Sequence, residues 1–117
     1  MLLVNPGVVC ATPAVFRAYD AAGAPGDAYV PELPAVIETV EEVAAYLTYC
    51  RNDLEAPAVH LHPEIGEVLE LLRGERETLI ARMSGSGSTC FALCGSDIEA
   101  EGLIDRLQQM RPDWWIR

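Results

Sequence analysis

Five consecutive serine and glycine residues, Ser84-Gly85-Ser86-Gly87-Ser88, lie between two apolar runs. A two-residue turn is enough to join antiparallel strands, so this stretch is longer than a hairpin requires. Glycine has no side chain, and a ligand or another backbone can approach it closely. Successive backbone N–H groups in such a loop can converge on an anion. The hydroxyls of Ser84, Ser86, Ser88 and Thr89 add further donors. The stretch is not a Walker A loop, because it lacks a Gly-Lys-Ser/Thr ending and no helix follows it directly. A solvated hairpin loop without a ligand is the other reading of the same residues.

Other residues with chemical potential read more plainly. The cysteines are Cys10, Cys50, Cys90 and Cys94, and none forms a CxxC pair. Cys90 and Cys94 sit four apart in an expected strand, on one face, where they cannot easily meet. All four read as reduced thiols of a cytoplasmic protein. A metal site from Cys90, Cys94, His60 and His62 matches no recognised ligand spacing, so no metal is expected. Asp53 invites a general-base role, but its position before an apolar run suits helix capping. Glu38, Glu41 and Glu42 read as a solvated face.

Charge limits the partners. Acidic residues outnumber basic ones 18 to 8, a formal charge of −10. Phosphate backbones and anionic lipid attract the opposite sign, so neither nucleic acid nor a membrane surface is an expected partner. A phosphate near this chain would be held by backbone N–H groups, with cations supplied from elsewhere. No apolar run reaches the roughly 18 residues of a membrane span. No basic segment precedes an apolar one at the N-terminus, so no leader is expected.

The elements that must position the loop follow from the pattern. Met1–Val4 reads as a buried strand, and Asn5-Pro6-Gly7 breaks it. A strand at the very start is expected of a piece of a longer chain. Thr12-Pro13 opens a short helix, with Thr12 as cap and Pro13 in the first turn. Asp20 to Pro34 reads as a surface loop. A second helix is expected over Pro34–Tyr49, its stripe running through Val36, Ile37, Val40, Val43, Ala44 and Leu47. Asn52-Asp53 caps a third helix from Leu54, and Pro57 and Pro63 predict a kink or two short helices. Thr78–Met83 and Thr89–Cys94 form a hairpin around the glycine-rich loop. Ser96-Asp97-Ile98-Glu99 is a capping box that opens the last helix. Trp114-Trp115-Ile116 reads as a closing strand with one Trp packed and one exposed. The order predicts an α+β, ferredoxin-like sandwich: a four-stranded, mainly antiparallel sheet with helices on one face.

The run Arg82 to Leu93 around the loop is similar to the third, C-terminal glycine-rich motif of the GHMP kinase family. Val4–Val8, Ala11–Phe16 and Asn52–Glu55 resemble, in order, segments of the C-terminal domain of one branch. That branch phosphorylates a cytidine-diphosphate-linked methylerythritol in isoprenoid biosynthesis. The likeness covers nearly the whole chain, residues 1–117 as one domain. It implies an ATP- and Mg2+-dependent kinase whose catalytic residues and phosphate loop lie in an N-terminal domain. This chain contains no lysine, and nothing in it matches the family's first two motifs. Alone it is expected to bind neither cofactor and to be inactive, because positioning is most of phosphoryl-transfer catalysis.

Carried over residue by residue, Phe16 matches an aromatic that stacks on cytosine, and Thr12 and Pro13 match residues lining the same pocket. Ser84, Gly85, Ser86, Gly87, Ser88 and Thr89 match the third motif, close to the substrate diphosphate. Phe16 as a core residue, and Thr12 and Pro13 as a plain helix start, are the alternatives. A kinase of the same family with another substrate, and a free-standing ferredoxin-like binding module, are the rival identities. The exposed Trp of the closing strand is expected to face a missing domain or to favour self-association.

Overall fold

The computed structural model describes residues 1–23 and 30–117. The elements are β1 (Leu2–Asn5), α1 (Thr12–Ala21), α2 (Val40–Tyr49), α3 (Glu55–Leu61), α4 (Pro63–Gly74), β2 (Thr78–Met83), β3 (Cys90–Cys94), α5 (Asp97–Met110) and β4 (Trp115–Ile116). The expected loop from Asp20 to Pro34 falls partly on residues 24–29, outside the described residues, and α1 itself runs on through Asp20.

The strands form one sheet in the order β2-β3-β1-β4. All three pairings are antiparallel. With the helices this is the β-α-β-β-α-β pattern of a ferredoxin-like α+β fold, as expected. Strand residues alternate between faces, and register decides which face each side chain serves. Ala81 pairs with Ala92 and Met83 with Cys90, and β1 sets Leu2 against the same Ala92. These residues are buried with Ile65, Val68 and Leu72 of α4 and Leu103 and Leu107 of α5. α4 and α5 therefore cover one face.

The expectation of helices on one face fails for α2. Ile80 and Leu93 pair on the opposite face, and α2 covers them with Val40, Val43, Ala44 and Leu47. Two large apolar side chains at that register position need cover, and an amphipathic helix supplies it. α2 is also shorter than the apolar stripe predicts. Thr39 and Glu42 make a reciprocal capping box, which fixes the start at Val40. Val36 and Ile37 lie before it, outside regular structure, and are exposed.

The break after α3 falls at His62-Pro63, not at Pro57. Pro57 sits in the first turn of α3, where a missing N–H leaves no helical bond unmade. His60 is exposed and His62 half-buried at that break. Ser96 caps α5 by accepting the Glu99 N–H. Trp114 is buried under the Arg111 guanidinium, 3.9 Å from its ring centroid, whereas Trp115 is exposed. No helix among the described residues is long and apolar enough to cross a membrane.

Candidate functional site

The glycine-rich loop leaves β2 at Met83 and enters β3 at Cys90. It is a closed turn rather than a slack connection. The Ser84 N–H donates to the Thr89 carbonyl at 2.8 Å, and the Gly87 N–H donates to the Ser84 carbonyl at 3.0 Å. The N–H groups of Gly85, Ser86 and Ser88 have no acceptor among the described residues. Unmade donors clustered in a turn are what an anion requires of a backbone.

The two glycines serve different ends. Both have positive φ, +54° at Gly85 and +90° at Gly87. A Cβ on Gly87 would stand 3.0 Å from the Met83 sulfur and 3.2 Å from that of Cys10, whereas one on Gly85 would meet nothing. Gly87 is thus required by the protein's own packing. Gly85 leaves its side of the loop open to approach.

Three segments hold the loop. Asn5, at the end of β1, donates from Nδ2 to Thr89 Oγ1 at 3.0 Å. Its Oδ1 accepts the Gly7 N–H at 2.8 Å, which bends the chain out of the strand. Ser88 Oγ is buried and donates to the Val8 carbonyl at 2.8 Å. The Cys10 thiol lies 3.1 Å from the Ser86 carbonyl, and burial raises its pKa. Thr12 and Ser86 share a hydroxyl contact of 2.8 Å. On the other side, Asn52 Nδ2 donates to the carbonyls of Met83 and Gly85.

The sequence-predicted residues fall into place unevenly. Thr12 does not cap α1; Ala11 occupies that position without a side-chain bond, and the Thr12 hydroxyl turns to the loop. Pro13 lies in the first turn and is exposed. Phe16 is not a core residue: it is 48% exposed, while Val15 is the buried residue of α1. Phe16 follows Thr12 by four positions, so the two share a helix face. Asp53 does not cap α3 and instead pairs with Arg51 at 2.7 Å. Asn52, Asn5, Cys10 and Glu55 also hold the site, and no local sequence signal assigns them to it. The one available signal for Asn52 is its place in the Asn52–Glu55 segment, where helix capping is a sufficient explanation.

A cleft of about 340 Å³ lies between the end of α1 and the start of α3, lined by Tyr19, Asn52, Asp53 and Pro57 among others. Among the described residues, no three His, Cys, Asp or Glu side chains converge as metal ligands do.

The family profile described as GHMP kinases C terminal matches residues 30–113. The chain belongs to the GHMP kinase C-terminal family. This GHMP kinase domain is 63% identical to a 4-diphosphocytidyl-2-C-methyl-D-erythritol kinase of Caulobacter vibrioides, over 99% of the chain and 40% of that protein. An enzyme of the same name from Hyphomonas neptunium is 53% identical over 97% of the chain and 39% of its own length. A crystal structure of 4-(cytidine 5'-diphospho)-2C-methyl-D-erythritol kinase superposes with a TM-score of 0.63 at 29% identity, covering 98% of the chain and 41% of that enzyme. The GHMP kinase domain thus spans about two-fifths of the length of the relatives it matches. Its β1 and α1 lie ahead of the profile match and inside the match to the kinases.

Proposed function

We propose that this chain is the substrate-facing C-terminal domain of a cytoplasmic 4-diphosphocytidyl-2-C-methyl-D-erythritol kinase. The observation that carries the reading is the 63% identity to such an enzyme over 99% of the chain. A substrate pocket tolerates far fewer changes than a fold does, so identity at this level favours a shared substrate over fold likeness alone.

The geometry supports a division of labour. Phe16 offers an exposed aromatic face on which a cytosine ring can stack. Thr12 and Pro13 line the approach to it, and Thr12 ties that approach to Ser86. The unmade N–H groups of Gly85, Ser86 and Ser88 face the substrate diphosphate and supply its hydrogen bonds without a side-chain cation. Such fixed donors stabilise charge without reorganising during the reaction. Bound ATP supplies the phosphoryl group. The chain has no lysine for a phosphate clamp, and among the described residues no three metal-ligating side chains converge; our reading places ATP, Mg2+ and the catalytic base in the larger part of the enzyme.

The test is a chimera. The matching C-terminal part of the Caulobacter vibrioides kinase is replaced by these 117 residues. A folded chimera is expected to phosphorylate the cytidylated methylerythritol with ATP, read by phosphorus NMR. The Phe16→Ala chimera is expected to raise KM for that substrate about tenfold or more, the weight of one base-stacking contact. A folded chimera without turnover overturns the reading, and an unchanged KM removes Phe16 from the site. The 117-residue chain alone is expected to give no product.

A further inference from the structure

We propose that Asn52 is a positioning residue that aims the Ser86 backbone N–H toward an anionic ligand group; the identity of that group rests on the kinase reading above. Asn52 uses its whole amide. Its Nδ2 donates to the Met83 carbonyl at 3.0 Å and to the Gly85 carbonyl at 2.7 Å, and its Oδ1 accepts the Leu54 N–H at 3.1 Å. The last bond is an Asx turn leading into α3, and it fixes where the side chain stands.

The aiming follows from peptide geometry. In a trans peptide the C=O and the following N–H point in opposite directions. A Gly85 carbonyl held against Asn52 therefore turns the Ser86 N–H away from α3, toward the open side of the loop. The rest of Ser86 is held independently, its carbonyl by the Cys10 thiol and its hydroxyl by Thr12. Its N–H is left without an acceptor among the described residues. The bond from the Gly87 N–H to the Ser84 carbonyl closes the turn but leaves its central Gly85–Ser86 peptide free to flip between turn types, and a Cβ on Gly85 would meet no atom. Asn52 removes that freedom.

Glu55 braces the same turn. Its Oε2 accepts the Met83 N–H at 3.1 Å, and its Oε1 lies 2.7 Å from Arg73 Nη2. Arg73 in turn donates to the Ala81 carbonyl. Both the N–H and the C=O of Met83 are thus pinned by residues 52–55, and the loop departs from a fixed point.

Asn52→Asp removes the aiming bonds and keeps the turn into α3. Aspartate keeps the shape and the acceptor for Leu54, but it cannot donate to either carbonyl. Asn52→Ser is the second variant: its hydroxyl supports the turn and is too short to reach both carbonyls. In the 15N-labelled 117-residue chain, either variant is expected to move the Ser86 amide resonance. It should also change that amide's exchange rate about tenfold, with the Leu54 amide unmoved. In the chimera, kcat/KM is expected to fall at least about tenfold, measured at a temperature where each variant is folded. A folded variant whose Ser86 amide stays put overturns the proposal. So does a moved amide with unchanged kcat/KM. An inactive parent chimera counts against the kinase reading instead, and the amide measurement still decides the aiming.

Discussion

The hydroxyl oxygens of Thr12 and Ser86 lie 2.8 Å apart across 74 positions of sequence. The contact ties the first turn of α1, the helix that carries Phe16, to the glycine-rich loop. Thr12→Val removes the hydroxyl and keeps the shape. With Ser86→Ala it forms a double-mutant cycle whose coupling is expected near 0.5 kcal/mol, the low end for touching residues because the pair is exposed. Urea unfolding of the four proteins measures it. Strictly additive losses would mean that the two hydroxyls do not meet in solution.

Gly85 and Gly87 are expected to respond differently to alanine. At Gly85 only the positive φ matters, and Gly85→Ala should cost about 1 kcal/mol. At Gly87 the φ of +90° combines with a Cβ pressed to 3.0 Å from the Met83 sulfur and 3.2 Å from that of Cys10. Strain and overpacking together should make Gly87→Ala cost about 2–5 kcal/mol. Gly85→Asn should be milder than either, since asparagine tolerates the left-handed region. Thermal melts of the three variants rank them, and equal losses at Gly85 and Gly87 contradict the packing account.

The sheet and its helices were legible because each rests on local signals. Alternation marked the hairpin strands, Ser96 and Glu99 marked the start of α5, and paired prolines marked the α3–α4 break. The start of α2 is less legible, because Val36 and Ile37 continue its apolar stripe and the box that overrides them consists of only two residues, Thr39 and Glu42. The loop's identity was legible, but its supports were not. Asn5, Cys10 and Asn52 each reach it from far along the chain, the last across 31 and 33 positions. Asparagine before a helix has a sufficient local explanation, so nothing in the sequence directs its amide to a distant carbonyl. The side of the sheet that α2 covers is likewise a product of register, visible only once Ile80 and Leu93 are paired.

Glu77 should set part of the acid limit of stability. Its side chain is nearly buried and lies 3.0 Å from the Arg106 guanidinium, which also reaches Glu75 at 2.8 Å. The hydrogen bond from Arg106 leads the causes that lower its pKa from 4.5 to about 2. A carboxylate with a lowered folded pKa stabilises the fold above its unfolded pKa, and that contribution is lost as pH falls through the folded value. The loss attributable to Glu77 is therefore expected between pH 4.5 and about 2. Glu77→Gln should be less stable than the parent at pH 7 and should lose less on acidification across that window. Urea midpoints at several pH values test this, and parallel curves for the two proteins would exclude the Arg106 pair as the cause.

The thiols should differ sharply in reactivity. Cys90 and Cys94 are buried in the sheet, whereas Cys10 and Cys50 are half-buried. Burial pushes the Cys90 thiol up to about 12, with the nearby Glu55 carboxylate adding to the rise. The thiolate is the reactive form, so at pH 8 only about one Cys90 in ten thousand is reactive even before access is considered. Burial raises the Cys10 thiol too, and its sulfur is engaged with the Ser86 carbonyl. Cys50 should therefore take up iodoacetamide first in the folded chain, followed by Cys10. Cys90 and Cys94 should label only as denaturant unfolds the protein. Peptide mass spectrometry over a time course reads all four sites. Native-state labelling of Cys90 at a rate near that of Cys50 would show that the β2–β3 hairpin opens far more readily than its packing against α4 allows.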